Sequence, residues 1–285
     1  MGRVAYNRII DSMAHTAKKV SNKAGKKERH LILGAGEVGQ ALYLVLSPHF
    51  DVSIRDKESD IRGTFDVLHI AYPPFKNFVA ATKQYIKEYK PSLVIIHSTV
   101  PVGTTKRVGP LAVHSPIRGM HIKGCHPGII GASVPKVEGN PQYFANSLFH
   151  FPKYFGGAKA ERAASYFKKI GIPVQIFSKS ETTELAKILD TTYYGWNIVF
   201  AKEAKQMCDK LGLDFNEVYT IPNVDYNEGY KKLGKGHVVR PVLKDVPGGI
   251  GGHCVVSNCD LLNSWVTNTI KERDKIYRKA PKKKK

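Results

Sequence analysis

Cys254 closes a run of glycines, Pro247-Gly248-Gly249-Ile250-Gly251-Gly252-His253-Cys254, and a thiol presented this way can act as a nucleophile. Glycine has no Cβ, so its backbone bends sharply and comes close to a ligand. A thiol at the end of such a turn can reach a reacting carbon while nearby N–H groups face the oxyanion that forms. A second chemically loaded segment lies far upstream. Leu31-Ile32-Leu33-Gly34-Ala35-Gly36-Glu37-Val38-Gly39 has the form of an apolar strand, a glycine turn and a helix start, the context that gives a GxGxxG spacing meaning as a dinucleotide site. Gly34 makes the turn, Gly36 lets the backbone approach a pyrophosphate and Gly39 permits close helix–strand packing. The helix N-terminus at Glu37 and Val38 supplies N–H groups to that pyrophosphate. Asp56 follows Gly39 by about seventeen residues, near where a carboxylate accepts the ribose hydroxyls and repels a 2′-phosphate. That favours NAD, although Arg55 and Lys57 beside it could instead meet a phosphate. A nucleotide turn and a presented cysteine together suggest oxidation through a covalent intermediate.

The elements that must position these residues alternate between strand and helix patterns. Leu31 to Leu33, Val52 to Ile54, Asp66 to Ala71 and Leu93 to His97 read as strands, with further candidates at Met120 to His126 and Val174 to Phe177. Helical spacing is expected over Glu37 to Leu46 and over Phe75 to Tyr89, where Pro91 stops it. This alternation predicts an α/β fold: a doubly wound parallel-sheet Rossmann domain binding NAD, followed by a long helix and a small helical segment. The long helix is expected from Glu181 to Leu211, ended by Gly212, and a second helix from Asp214 with Glu217 in capping-box position. The expected division is a basic extension over 1–29, the nucleotide-binding domain over 30–179, the helical segment over 180–270 and a basic tail over 271–285.

Composition sets the outer limits. A chain of 285 residues with 42% hydrophobic and 24% charged residues can bury an ordinary core. Its apolar runs are too short to span a bilayer, and no signal-peptide pattern follows Met1, so a cytoplasmic protein is expected. Four cysteines do not make a disulfide framework. His253, Cys254 and Cys259, with Cys125-His126, fit no usual zinc spacing, so no metal is expected. Residues 1–29 carry a net +6 and residues 271–285 a net +7 of the overall +20. Neither end interleaves aromatics with its charge, which argues against nucleic acid, though either could dock on an acidic partner.

Four segments in order resemble the UDP-glucose/GDP-mannose dehydrogenase family of NAD-dependent nucleotide-sugar oxidoreductases. They are the glycine turn at 34–39, Ser98-Thr99-Val100-Pro101-Val102-Gly103-Thr104-Thr105, Glu184-Leu185-Ala186-Lys187 with the Asn197 to Glu203 stretch, and Gly249 to Cys254. The resemblance implies two successive hydride transfers from a primary alcohol, with Cys254 holding the aldehyde as a thiohemiacetal before a thioester is hydrolysed. It implies Lys187 as the lysine that stabilises or deprotonates the reacting oxygen, and Thr99 as the threonine of the loop after the last nucleotide-domain strand. Tyr72, Pro73, Ser98 and Thr99 join the expected cofactor site; Arg118, Lys187, His237, Arg240, Gly251 and Gly252 form the expected substrate site. The chain departs from the family pattern at three places. Thr191 stands for an Asn four residues after the lysine, Asn258 for an Asp four residues after the cysteine, and Ile117 for the glutamate of a Ser-Pro-Glu-Arg motif. An amide cannot act as a general base on water, so slow hydrolysis of the thioester is expected. The chain is also expected to lack the family's C-terminal domain, and the short Asp56–Asp66 interval leaves no room for the usual helix-and-strand unit. The small-molecule substrate is expected to be a sugar nucleotide or a related sugar, and a homodimer through the long helix is expected. A non-catalytic NAD-binding protein docking through basic ends, and a dehydrogenase of a small hydroxy acid, are the competing readings.

Overall fold

The computed structural model describes residues 28–56, 60–118, 141–251 and 253–279. The basic ends short of Glu28 and beyond Lys279, the expected strand at Met120 to His126, the Cys125-His126 pair, Lys57 and Gly252 lie outside these residues. The chain divides into two compact units, Met1–Gly119 with Asn140–Thr183, and Met120–Gly139 with Glu184–Lys285.

The first unit is a seven-stranded sheet. Its strands are β1 (Arg29–Leu33), β2 (Asp51–Arg55), β3 (Val67–Ile70), β4 (Leu93–Ile96), β5 (Ala112–His114), β6 (Lys153–Gly156) and β7 (Val174–Phe177). They lie in the order β2-β1-β3-β4-β5-β6-β7, all parallel except the β5–β6 pair, where His114 faces Gly156. Alternate residues of each strand face opposite sides, so each side needs its own helical cover. Ile32, Leu93 and Ile95 pack under α1 (Glu37–Leu46), α4 (Pro141–Ser147) and α5 (Ala160–Lys169). Leu31, Leu33, Val94 and Ile96 pack under α2 (Phe78–Tyr89) and α3 (Thr104–Val108). This is the expected doubly wound α/β architecture, with a mixed rather than wholly parallel sheet. No periodic apolar run marks β5 or β6, each four residues or fewer. The chain leaves β1 through α1 to β2, then crosses to β3 on the other side of β1. The carboxyl ends of β1 and β3 therefore flank a topological switch point, where open α/β sheets take their ligands.

One diagonal of this sheet is polar where an apolar core is normal. His30 on β1, His69 on β3 and His97 just after β4 are buried, as is Lys153 on β6. His30 Nδ1 lies 2.9 Å from His69 Nε2, and His69 Nδ1 lies 3.0 Å from His97 Nε2. His97 Nδ1 lies 3.0 Å from the Ser115 carbonyl and 3.2 Å from Lys153 Nζ, which itself donates to that carbonyl at 3.0 Å. Burial pushes His30 down to about 4, against the smaller opposing pull of Glu28, Asp66 and Asp51. Burial, aided by the Lys153 charge, also holds His69 and His97 well below the usual imidazole range. The folded rings stay neutral where rings in the unfolded chain, near pH 6.5, take up protons. Stability is therefore complete above about pH 6.5 and falls as pH drops from there toward 4, by up to about 1.4 kcal/mol per pH unit for each ring. Thermal melts between pH 7.5 and 4.5 should show this decline; a flat melting temperature over that range would rule it out.

The second unit is helical. It holds α6 (Ser180–Leu211) from Glu184 onward, a π-helical turn (Asn216–Thr220) running into α7 (Ile221–Lys232), α8 (His253–Cys259) and α9 (Trp265–Lys279). Asp214 starts the helical turn as expected, its Oδ1 accepting the Asn216 and Glu217 amides at 2.8 and 3.1 Å. Ile198, Val199, Val255, Ile270 and Tyr277 form part of the core. At Gly195 a Cβ would come 2.8 Å from Val255 and 3.1 Å from Ile270, so the missing side chain lets α8 and α9 close on α6. Leu189, Tyr193, Phe200, Met207 and Leu211 leave an apolar stripe of α6 exposed. Among the described residues no helix is long and apolar enough to cross a membrane.

Candidate functional site

In the first unit the glycine turn sits at the switch point. Gly34 has φ +109°, and a Cβ there would come 2.9 Å from the Tyr72 amide. A Cβ on Gly39 would overlap the Gly34 carbonyl oxygen. The turn is held by Gly34 N–H donating to the Arg55 carbonyl at 2.9 Å and by Gln40 Nε2 donating to the Ala35 carbonyl at 2.8 Å. Gly36, the N-cap of α1, has no atom within 4 Å of where its Cβ would stand, and no side chain caps the helix. Two glycines are thus required by the protein's own packing, and the third leaves open the space in front of a helix N-terminus. Such a cradle fits a pyrophosphate. Glu37 begins the helix, exposed, while Val38 packs its side chain into the core, so Val38 has only its backbone to offer a ligand.

The neighbouring loops are ordered by hydrogen bonds. Asp56 follows β2 and is exposed at the strand's carboxyl end. Arg55 is turned away from it: its guanidinium bonds the Tyr89 hydroxyl and Glu88, the latter at 3.0 Å, and lies over the Tyr85 ring. It is occupied by α2 rather than available to a 2′-phosphate. The Tyr72 hydroxyl is already engaged: it lies 2.7 Å from Thr82 Oγ1 and is pushed up to about 12 by burial. Pro73 beside it is exposed. Ser98 Oγ donates to the Tyr72 carbonyl at 2.5 Å, tying the loop after β4 to the loop after β3. His114 braces the same loop, with Nε2 at 3.2 Å from the Ser98 carbonyl and Nδ1 at 2.8 Å from Thr183 Oγ1. This histidine was not singled out from sequence, and only its position in a short apolar strand hints at it. Thr99 is half-buried in the loop that Ser98 and His114 hold. Arg118 bonds the Tyr154 hydroxyl at 2.7 Å and lies over its ring, so it is anchored within this unit.

The second unit assembles the thiol half. Lys187 on α6 is largely covered, with Nζ 3.9 Å from Asp190. One turn later, Thr191 Oγ1 donates back to the helix at the Ile188 carbonyl, 3.0 Å away. Asn258, one turn after Cys254 on α8, donates from Nδ2 to that same hydroxyl at 3.2 Å. The bond joins the turn after Lys187 to the turn after Cys254, so two of the three positions that depart from the expected pattern meet each other. Cys254 is half-buried, whereas Cys208 and Cys259 are buried, and burial pushes the Cys259 thiol up. His237 and Arg240 are exposed. Arg240 stacks 3.5 Å from the Tyr226 ring centre, and its backbone N–H and C=O are both held by Asn227. It lines a groove with Tyr194, Asn227, Lys231 and Val242. Gly251 is half-buried in the loop before the thiol. Among the described residues no group of three or more His, Cys, Asp or Glu could hold a metal ion.

Residues 181–274 match the family model for the UDP-glucose/GDP-mannose dehydrogenase family, central domain. A Campylobacter jejuni UDP-N-acetyl-D-mannosamine dehydrogenase is 29% identical over 171 residues, covering 58% of this chain and 39% of that protein. A Ralstonia nicotianae NDP-N-acetyl-D-galactosaminuronic acid dehydrogenase is 24% identical over 240 residues, 76% of this chain and 53% of that one. The chain thus spans between about a third and about half the length of these and similar relatives. The UDP-N-acetyl-mannosamine dehydrogenase of Staphylococcus aureus shares the fold, with a TM-score of 0.60 and 17% identity over 87% of this chain and 68% of that one. Residues 181–274 are thus similar to the central domain of the UDP-glucose/GDP-mannose dehydrogenase family, and the chain as a whole shares the fold of its solved members.

Proposed function

We propose that the protein is an NAD-dependent oxidoreductase that oxidises an alcohol or aldehyde carbon, on a sugar nucleotide or related sugar, with Cys254 as covalent nucleophile. The observation that carries this reading is the open glycine cradle at Gly36 in a chain whose thiol segment falls within the matched central domain. Bound NAD would supply the hydride acceptor. Gly34, Gly36 and Gly39 with the α1 amides hold the pyrophosphate; Asp56 takes the ribose hydroxyls; the backbone at Tyr72 and Pro73 and the loop at Ser98 and Thr99 line the remainder of the cofactor. In the thiol half, Cys254 Sγ adds to the carbonyl carbon of the aldehyde and the oxygen takes the charge. Lys187 stabilises that oxygen, as an ammonium in a water-poor site does strongly. After the hydride has left, the bond between Sγ and the carbonyl carbon is a thioester, and water must break it to return the thiol and the acid. Asn258 spends its amide on Thr191 and has no basic atom for that water, so acyl transfer off sulfur is the slow step. His237, Arg240 and the Gly251 backbone are the proposed contacts to an anionic part of the substrate. The exposed stripe Leu189, Tyr193, Phe200, Met207 and Leu211, spaced by fours and sevens, is the proposed homodimer face.

The direct test is titration with NADH and NADPH followed by nicotinamide fluorescence. NADH is expected to bind more tightly, because Asp56 repels a 2′-phosphate and Arg55 is held by Glu88 and Tyr89. Asp56→Ala should weaken NADH by about tenfold or more, the worth of a hydrogen bond to a charged group, and should narrow the gap to NADPH. Equal binding of both nucleotides to the wild-type protein would overturn the assignment of Asp56.

A further inference from the structure

The segment that presents Cys254 is clamped from two helices of its own unit. Lys202 on α6 donates to the Val246 carbonyl at 2.5 Å. Asp274 on α9 accepts the Ile250 N–H on Oδ1 at 2.6 Å and Arg278 Nε on Oδ2, also at 2.6 Å. Asp274 is a buried carboxylate with its two oxygens assigned to different partners. A charge-assisted bond to a buried amide is strong, and leaving that amide unpaired is costly. The two helices are in turn joined by Glu203 of α6, which accepts the Tyr277 hydroxyl at 2.6 Å and pairs with Arg273 at 3.5 Å.

The glycines of the loop fit this clamp. Gly248 has φ +96°, a conformation that favours glycine. At Gly249 a Cβ would come 2.5 Å from Asp274 Oδ1 and 2.8 Å from Arg278 Cγ. Gly249 is therefore small because the carboxylate lies against the backbone. Ile250 then drives its side chain into the core, and Cys254 follows four residues later in the first turn of α8.

We infer that Asp274 is a positioning residue for Cys254: by fixing the Ile250 amide it sets where the thiol stands, without touching substrate. The inference rests on the reading of Cys254 as the nucleophile. Two measurements on the full chain separate that reading from the inference. Amide hydrogen exchange over residues 247–255 reports whether Asp274 holds the loop, and iodoacetamide alkylation of Cys254 against pH, read by mass spectrometry, reports whether the thiol responds. Asp274→Asn should raise exchange in the loop by at least tenfold. It should also change the Cys254 alkylation rate by at least fivefold and displace its pH profile, with Cys208 and Cys259 as unreactive internal references. Gly249→Ala, whose Cβ strikes the same carboxylate, should give the same phenotype and serves if Asp274→Asn does not fold. Unchanged exchange, or faster exchange with an unchanged Cys254 profile, would overturn the inference. A wild-type Cys254 no more reactive than Cys208 would instead overturn the nucleophile assignment, and the exchange result would still decide whether Asp274 holds the loop.

Discussion

Gly39→Ala is expected to destabilise the first unit by about 3 kcal/mol or more and to abolish nucleotide binding. The added methyl would overlap the Gly34 carbonyl oxygen, a backbone atom already placed by the Gly34–Arg55 bond, so relief requires moving β1, α1 or the turn itself. Overpacking of this kind costs at the upper end of the usual 1–3 kcal/mol range. Gly36→Ala is the paired control. Its methyl meets nothing within 4 Å, so the melting temperature should hold, while NADH affinity falls by about tenfold or more because the methyl stands where a pyrophosphate would approach. Loss of binding in both variants, with loss of stability in Gly39→Ala alone, would separate the glycine that builds the fold from the glycine that serves the ligand. Unimpaired NADH binding in Gly36→Ala would remove the pyrophosphate assignment.

The second large effect concerns the thiol. On the proposed function, Cys254→Ser should reduce formation of carboxylate from a sugar-nucleotide alcohol by at least about a thousandfold, the scale on which removal of a covalent nucleophile acts. NADH affinity should be unchanged, since the cofactor residues lie in the other unit. The wild-type protein should show a burst of NADH followed by slow turnover, with an acyl adduct on Cys254 visible by intact mass. Asn258→Asp should shorten the life of that adduct, because a carboxylate can accept a proton from water where an amide cannot. Carboxylate released at the same rate in the Cys254→Ser variant would overturn the covalent route.

Much of the nucleotide half is legible in the sequence because its signals are local. The strand at Leu31 to Leu33, the three glycines and the helix that follows are contiguous, and each glycine answers to a backbone requirement within a few residues. The long helix is legible for the same reason: its apolar spacing and Gly212 bound it, and the structure carries it to Leu211. The strands β5 and β6 escape because each is four residues or fewer and gains its place from the sheet around it. The expected helix from Phe75 begins at Phe78, after the turn that follows Pro73-Pro74. In the thiol half the glycine run is legible, but its reason is not. Gly249 reads as room for a ligand, whereas its neighbour is Asp274, a residue twenty-five positions later that only tertiary structure brings near. Arg118 carries the same lesson, since nothing local announces Tyr154 as its partner. The polar diagonal left one signal, a histidine within each of the apolar runs Leu68-His69-Ile70 and Ile96-His97.

That diagonal obeys a strict proton count. Each neutral imidazole carries one N–H, and each ring-to-ring contact must hold one proton. Only two patterns satisfy both conditions: all three rings protonated at Nδ1, or all three at Nε2. Two groups meet His97 Nδ1: the Ser115 carbonyl, which only accepts, at 3.0 Å, and the Lys153 ammonium, which only donates, at 3.2 Å, so the first calls for the Nδ1 pattern and the second for the Nε2 pattern. The Nε2 pattern would put the remaining N–H on His30 Nε2, which is buried and lacks a hydrogen-bond partner, whereas the Nδ1 pattern places it on His97, facing the Ser115 carbonyl. The three rings cannot change tautomer one at a time without two protons, or none, meeting at a contact. They form a line of single polarity across three adjacent strands, so whichever group sets the proton on His97 also sets which nitrogen of His30, two strands away, bears hydrogen.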